Sequence, residues 1–152
     1  MNRPKAWHPH EMPTLLINRL SRALLKPVDD RLREVGISTS QLPVLVALKD
    51  GSKRTQKELA ELAGVEQPSM AQLLGRMERD NLIVREASPT DRRSSLVSLT
   101  EHAHQLLEPG RVVLREIDQD VCAVLSREEK ELLVGLLQRL IKNLAAEGNT
   151  LA

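Results

Sequence analysis

The chain has 152 residues, with 22 Lys and Arg against 21 Asp and Glu, a formal net charge of +1, one Trp, no Phe and no Tyr. One compact domain, or a small domain with appended helices, fits this length, and a core without phenyl rings must be aliphatic and leucine-rich, which favours helices. A single cysteine excludes an internal disulfide framework, and no apolar run approaches the roughly 20 residues needed to span a bilayer. The start MNRPKAWHPHEMP is polar and Pro-rich, without the apolar core of a secretory signal, so a cytoplasmic protein is expected.

In chain order, residues 1–13 read as an arm without regular structure. Thr14 can cap a helix in which Leu16, Leu20, Ala23, Leu24, Val28, Leu32 and Val35 keep a helical rhythm as far as Gly36. Pro27 interrupts it, and a kink is expected there because one backbone hydrogen bond is lost while the pattern resumes in phase. Ser38, Thr39 and Ser40 offer caps for a second helix carrying Leu42, Val44, Leu45, Ala47 and Leu48, with Pro43 in its first turn and Gly51 as its stop.

The next stretch, from Thr55 to Leu99, organises the rest. In TQKE, Thr55 and Glu58 form a capping box, each satisfying a free amide at a helix start. Leu59, Leu62 and Ala63 give that helix an apolar face, and Gly64 lets the chain leave it sharply. After this short turn a second helix starts near Gln67, with Pro68 where a missing N–H costs nothing. At about 100° per residue, Met70, Leu73, Leu74 and Met77 share one stripe. Pro68, Gln72, Gly75 and Arg79 lie opposite, with Ser69, Ala71 and Arg76 on the flanks. The acids Glu66, Glu78 and Asp80 stand only at the ends. Asn81 suits a left-handed C-cap. The runs LIVRE and SLVSL then read as strands, joined by ASPTDRRS as a loop with a basic tip.

Two helices, a tight turn and a hairpin outline a winged helix-turn-helix. LAELAGV, RMERDNLIVRE and SPTDRRSSLVSLT together resemble the MarR family of bacterial transcription regulators, and Asp91-Arg92-Arg93 matches that family's Asp-x-Arg signature. The resemblance runs from Leu15 to Leu144. It implies that Arg93 enters a DNA groove while Asp91 holds the wing tip in shape.

After the wing, Thr100 can cap a helix carrying Ala103, Leu106, Leu107, Val113, Leu114, Ile117 and Val121. Pro109-Gly110 would break it on sequence grounds, but the resemblance implies one long helix, so a kink near Pro109 is expected. Ser126 and Glu129 form another capping box, opening a helix with Leu132-Leu133, Leu136-Leu137, Leu140-Ile141 and Leu144. That stripe is broader than one packing seam needs. Leu15, Leu16, Leu132, Leu136, Leu140 and Leu144 are therefore expected at a homodimer interface. The expected fold class is mainly α with a small β-hairpin wing. Residues 14–36 and 100–146 supply dimerisation helices, 37–99 the DNA-binding domain and 147–152 a tail.

Charge alone does not advertise nucleic acid, since residues 50–100 carry equal numbers of acids and bases; the argument rests on arrangement. A recognition helix fits the major groove and a wing reaches the flanking minor groove. Arg92 and Arg93 suit a narrow, strongly negative minor groove. Gln72 can pair with adenine, Ser69 with a base or phosphate, and Arg76 or Arg79 with guanine or phosphate. Gln67 and Pro68 open the same helix. Thr55, Gln56 and Lys57 open the preceding one, where amides and a lysine can grip phosphate.

Other chemistry has weaker signals. His102 and His104, two apart on a helix, point nearly opposite ways and cannot chelate one ion together. His8 and His10 make a similar pair in the arm. Cys122 has no adjacent cation to activate it and reads as a buried, inert thiol. No GxSxG, Walker or HExxH sequence is present, so no enzyme, metal or cofactor is expected. The expected partners are double-stranded DNA, a second copy of the chain and a small-molecule effector such as an aromatic acid, the last implied by the resemblance. The functional expectation is a ligand-responsive repressor on a pseudo-palindromic operator. A helical protein–protein adaptor is the alternative from another class, and a redox- or zinc-responsive regulator the alternative within this fold.

Overall fold

The computed structural model describes residues 7–146. In order they form a 3-10 turn at Pro9–Glu11, α1 (Pro13–Arg33), a 3-10 turn at Thr39–Gln41, α2 (Leu42–Leu48), β1 (Arg54–Thr55), α3 (Gln56–Ala63), α4 (Gln67–Arg79), β2 (Ile83–Ala87), β3 (Ser95–Leu99), α5 (Glu101–Cys122) and α6 (Arg127–Ala146). The architecture is mainly helical with one small antiparallel sheet, a winged-helix arrangement. Two compact units divide within α5, between Leu114 and Arg115.

The first unit packs around Leu32, Val44, Leu45, Leu48, Leu59, Met70, Leu74, Met77, Ile83 and Val97, all fully buried. Unbranched Met and γ-branched Leu fill the space between helices that phenyl rings would otherwise occupy. The sheet has the order β1-β3-β2, with Ile83 opposite Leu99, Arg85 opposite Val97 and Arg54 also opposite Val97. Alternation along β3 turns Val97 and Leu99 inward. The expected two-stranded hairpin thus has a third strand, β1, whose two residues are too few to show any periodicity.

Several local signals operate as the sequence implies. Thr55 Oγ1 accepts from the Glu58 amide at 3.2 Å, and the Thr55 amide donates to Glu58 Oε2 at 2.7 Å. Gly64 at φ 64° and Asn81 at φ 57° occupy the left-handed conformation. Thr100 Oγ1 accepts from the Ala103 amide at 3.0 Å, and the Ser126 and Glu129 side chains cap α6 reciprocally at 3.1 and 2.8 Å. In α6 the apolar side chains Leu132, Leu133, Leu136, Leu140, Ile141 and Leu144 are exposed, Leu132 by 63% and Leu144 by 56%. Leu15, Leu16 and Ile17 of α1 are also exposed.

One expectation needs correction. Thr14 does not cap α1: the helix starts at Pro13, and Met12 precedes it without a side-chain cap. Pro13 is itself a suitable first residue because its fixed φ matches the helix. α1 runs on through Pro27, as the pattern resuming in phase implies. Both Pro27 and Ala23, whose carbonyl would have accepted the missing N–H, are exposed, so water can satisfy that carbonyl. α5 likewise runs on through Pro109, also exposed, while the adjoining Gly110 is buried. A Cβ at Gly110 would lie 2.6 Å from Ile37 Cδ1, so glycine here permits close packing. The arm carries the short Pro9–Glu11 turn; its first six residues and the tail from residue 147 lie outside the described residues.

One polar link joins α1 to the start of α2. Asp29 Oδ1 accepts from the Thr39 amide at 2.9 Å and from Thr39 Oγ1 at 3.1 Å, while Oδ2 accepts from Arg33 Nε at 2.6 Å. The Thr39 amide first, then the Arg33 guanidinium, hold the Asp29 carboxyl down at about 2. Because the folded value lies below the ordinary 3.8, the stabilisation is fully present above about pH 4 and is lost as pH falls through 2. Asp29→Asn should therefore be less stable than the parent near neutrality, with the gap narrowing from pH 4 to pH 2. Denaturant midpoints across that range measure it; parallel pH profiles would show that Asp29 is not linked to folding.

Candidate nucleic-acid interface

α3 and α4 form the helix-turn-helix. Gly64 donates its amide to the Ala60 and Glu61 carbonyls, closing α3, and the Val65 amide bonds Ala60 O at 3.1 Å. Two residues later α4 begins, with Pro68 in its first turn. Met70, Leu73, Leu74 and Met77 are buried, which turns Gln67, Pro68, Ser69, Gln72, Arg76 and Arg79 outward, all exposed. Gly75 between them is half-buried. This outward face carries no acid from Gln67 through Met77; Glu66, Glu78 and Asp80 bound it.

On α3, Lys57 is exposed while Thr55 and Gln56 are half-buried. The Thr55 hydroxyl is already committed to Glu58, whose carboxyl these bonds hold below the usual range, the Thr55 amide contributing most. Of this trio Lys57 is the side chain most available to a phosphate.

The wing tip is built by Asp91. Its Oδ1 accepts from the Arg93 amide at 2.9 Å, and its carbonyl accepts from the Ser94 amide at 3.2 Å. The Ser88 amide closes the loop on Ser94 O at 3.1 Å. This is an Asx turn, in which a short carboxylate substitutes for a backbone acceptor. Arg92 and Arg93 project from it, exposed.

Two ion pairs brace the wing. Arg85 Nε of β2 meets Glu78 Oε2 of α4 at 3.3 Å, and Lys53 pairs with Glu86. Strand and loop patterns gave no sign of either, because the partners are brought together by the sheet's register. Arg54 is also absent from the sequence-based site; it is half-buried with Nε directed at the Ala47 carbonyl, 3.4 Å away.

Elsewhere, Cys122 departs from expectation. It is half-buried, with Val121 and Val124 exposed beside it. Its Sγ lies 3.8 Å from Asp118 Oδ1, and Lys130, distant in sequence, pairs with Asp118 and interacts with Cys122. Among the described residues no group of three His, Cys, Asp or Glu could hold a metal, and no helix is long and apolar enough to cross a membrane.

The sequence model of the MarR family matches residues 35–94, from the α1–α2 turn through the wing tip. Over this stretch the chain is similar to the MarR family, as its motifs imply. Among solved structures, a probable transcriptional regulator from Pseudomonas aeruginosa is 28% identical with a TM-score of 0.80, the match covering 88% of this chain and 99% of that one. MepR of S. aureus, solved as a DNA complex, is 25% identical with a TM-score of 0.77, covering 88% and 98%. PcaV from Streptomyces coelicolor, solved with its natural ligand, shares the fold at 24% identity and a TM-score of 0.76, covering 91% and 98%.

In this wing, Asp91→Ala should free the Arg93 amide without unfolding the protein, because surface substitutions usually change stability by no more than about 0.5 kcal/mol. Amide exchange at Arg93 is expected to accelerate in Asp91→Ala and to be restored in Asp91→Asn, which keeps an acceptor oxygen. Unchanged exchange in the alanine variant would show that the carboxylate does not order the tip.

Proposed function

We propose that the protein is a homodimeric repressor that reads a pseudo-palindromic operator and releases it on binding a small molecule. The observation that carries the DNA-reading part is the acid-free outward face of α4 beside a wing tip whose two arginines are exposed and whose turn is tied by Asp91. Gln67, Pro68, Ser69, Gln72, Arg76 and Arg79 form the major-groove surface, with Gln72 suited to paired hydrogen bonds with adenine. Arg92 and Arg93 address the minor groove, and Lys57 with the first amides of α3 grips backbone phosphate. The solved MepR–DNA complex supports this reading by likeness.

Two-fold assembly is supported by apolar faces too extensive to be scattered surface leucines, at Leu15 and Leu16 on α1 and at Leu132, Leu136, Leu140 and Leu144 on α6. A dimer would present two recognition helices at about one turn of duplex. For ligand control, a cavity of about 220 Å³ lies between α2 and α5, walled by Ile37, Leu42, Leu45 and Leu107, with Lys49 at its edge and Arg111 paired there with Glu108. Apolar walls and a cation suit a small organic acid, and the ligand complex of PcaV supports effector binding in this fold.

Binding-site selection on random duplexes, followed by variants, tests the reading. Gln72→Ala should relax preference at one position per half-site, costing about 1–3 kcal/mol on the selected site and much less on unrelated DNA. Arg93→Ala should weaken binding to many sequences and lower the salt slope by roughly one per head. A folded Arg93→Ala protein with parental affinity and slope would remove the wing from the interface.

Sedimentation tests the assembly. At micromolar concentration the parent should be dimeric, and Leu136→Glu with Leu140→Glu should give a folded monomer with much weaker operator binding. A parent monomer that binds the palindrome at full affinity would overturn the dimer.

A further inference from the structure

Most of the described glycines have a reason within the chain. Gly36, Gly51 and Gly64 stand at positive φ, where a side chain is strained, and a Cβ at Gly110 would collide with Ile37. Gly75 has neither reason. It lies inside α4, and a Cβ there would meet nothing within 4 Å beyond its chain neighbours and its own stretch of helix backbone. Gly135 of α6 is the other described glycine with open space around it. Glycine in a helix interior is less stable than alanine, so the missing side chain at position 75 costs stability without gaining a contact inside the chain.

We infer that Gly75, with Ala71 one turn before it, forms a notch in the outward face of α4 that admits the 5-methyl group of a thymine beside the base that Gln72 contacts. The inference rests on the DNA-reading role proposed above and names one base that this face selects.

Position is the first argument. Residues three and four apart on a helix are neighbours at about 5–6 Å, so Gly75 adjoins Ala71, Gln72 and Arg79. Gln72 and Arg79 are exposed, whereas Ala71 and Gly75 are half-buried. The two small residues therefore make a low place beside longer side chains, on the face opposite the buried Met70, Leu73, Leu74 and Met77.

Chemistry selects the occupant. Backbone amides and carbonyls inside a helix are already bonded within it, so Ala71 and Gly75 present only carbon-bound hydrogens. Guanine, adenine and cytosine show the major groove polar edge groups, which would lose water in the notch without gaining a partner; thymine carries a methyl group there. No acid stands between Gln67 and Met77 to accept from a cytosine amine. An adenine paired to Gln72 also brings a thymine in the same base pair, with its methyl on the same major-groove edge.

Uracil, which is thymine without the methyl group, is the probe. Operators from the selection experiment, with each thymine replaced in turn by uracil, are titrated with the full chain and with Gly75→Ala. Parental affinity should fall about fourfold per half-site at one thymine position, the worth of one buried methyl, and stay level at the others. Gly75→Ala should unfold at a higher temperature than the parent, because alanine is the better helix former. It should nevertheless bind the thymine operator about tenfold more weakly, a loss of the size of a mismatched base pair. Its preference should also reverse: the added methyl fills the notch, so the variant should bind the uracil operator more tightly than the thymine one. A Gly75→Ala protein with parental affinity and a parental uracil profile would overturn the proposal. So would a loss equal on all sequences, which would mean that the gap faces the DNA backbone. A parent that selects no sequence would remove the base-reading role and this inference with it, whereas a selected operator read equally well by Gly75→Ala would remove the notch alone.

Discussion

The burial of Met70, Leu73, Leu74 and Met77 is the constraint on which the reading head depends. A helix that commits one stripe to a core has no freedom about its own axis, so the outward aim of Ser69, Gln72 and Arg76 follows from where leucine and methionine must go. The same stripe packs within the core that Ile83 and Val97 of the sheet complete, so the wing and α4 share one aliphatic core. Side chains without rings can interdigitate at this density only if each fits its neighbours, which makes the angle of α4 a property of the whole core.

Local chemistry made most of this region readable. A capping box, a left-handed Gly64 and a left-handed Asn81 are each decided by a few adjacent residues, and each occurs where its pattern stands. What depended on distant partners was not readable. β1 is two residues long and exists because β3 offers an edge; Arg85 meets Glu78 because register brings them together; Lys130 approaches Cys122 from another helix. The two prolines were absorbed, as the apolar rhythm implied. Pro27 and Pro109 each remove one hydrogen bond, but both stand on exposed faces where solvent can substitute, so the apolar rhythm prevails over the breaker.

The candidate interface was legible as residue types on helix faces, whereas the cavities were not. Gln41 carries no sequence signal beyond a polar residue before a helix, yet it is buried with its side-chain oxygen on the Ser38 amide. Two cavities flank the same turn before α2, one toward α5 and one toward α4, and both are made by residues far apart in the chain.

Thr100 joins two elements that would otherwise be connected only through the chain. Its hydroxyl donates to Asn81 O at 2.7 Å while accepting from the Ala103 amide, and its own amide bonds Leu82 O at 3.0 Å. The residue that follows the C-cap of α4 and the N-cap of α5 are therefore one hydrogen-bonded knot. A lever needs a stiff fulcrum, and this knot supplies one: a tilt imposed on the first turns of α5 is delivered to the end of α4 without slack, and the two helix ends should fray together or not at all.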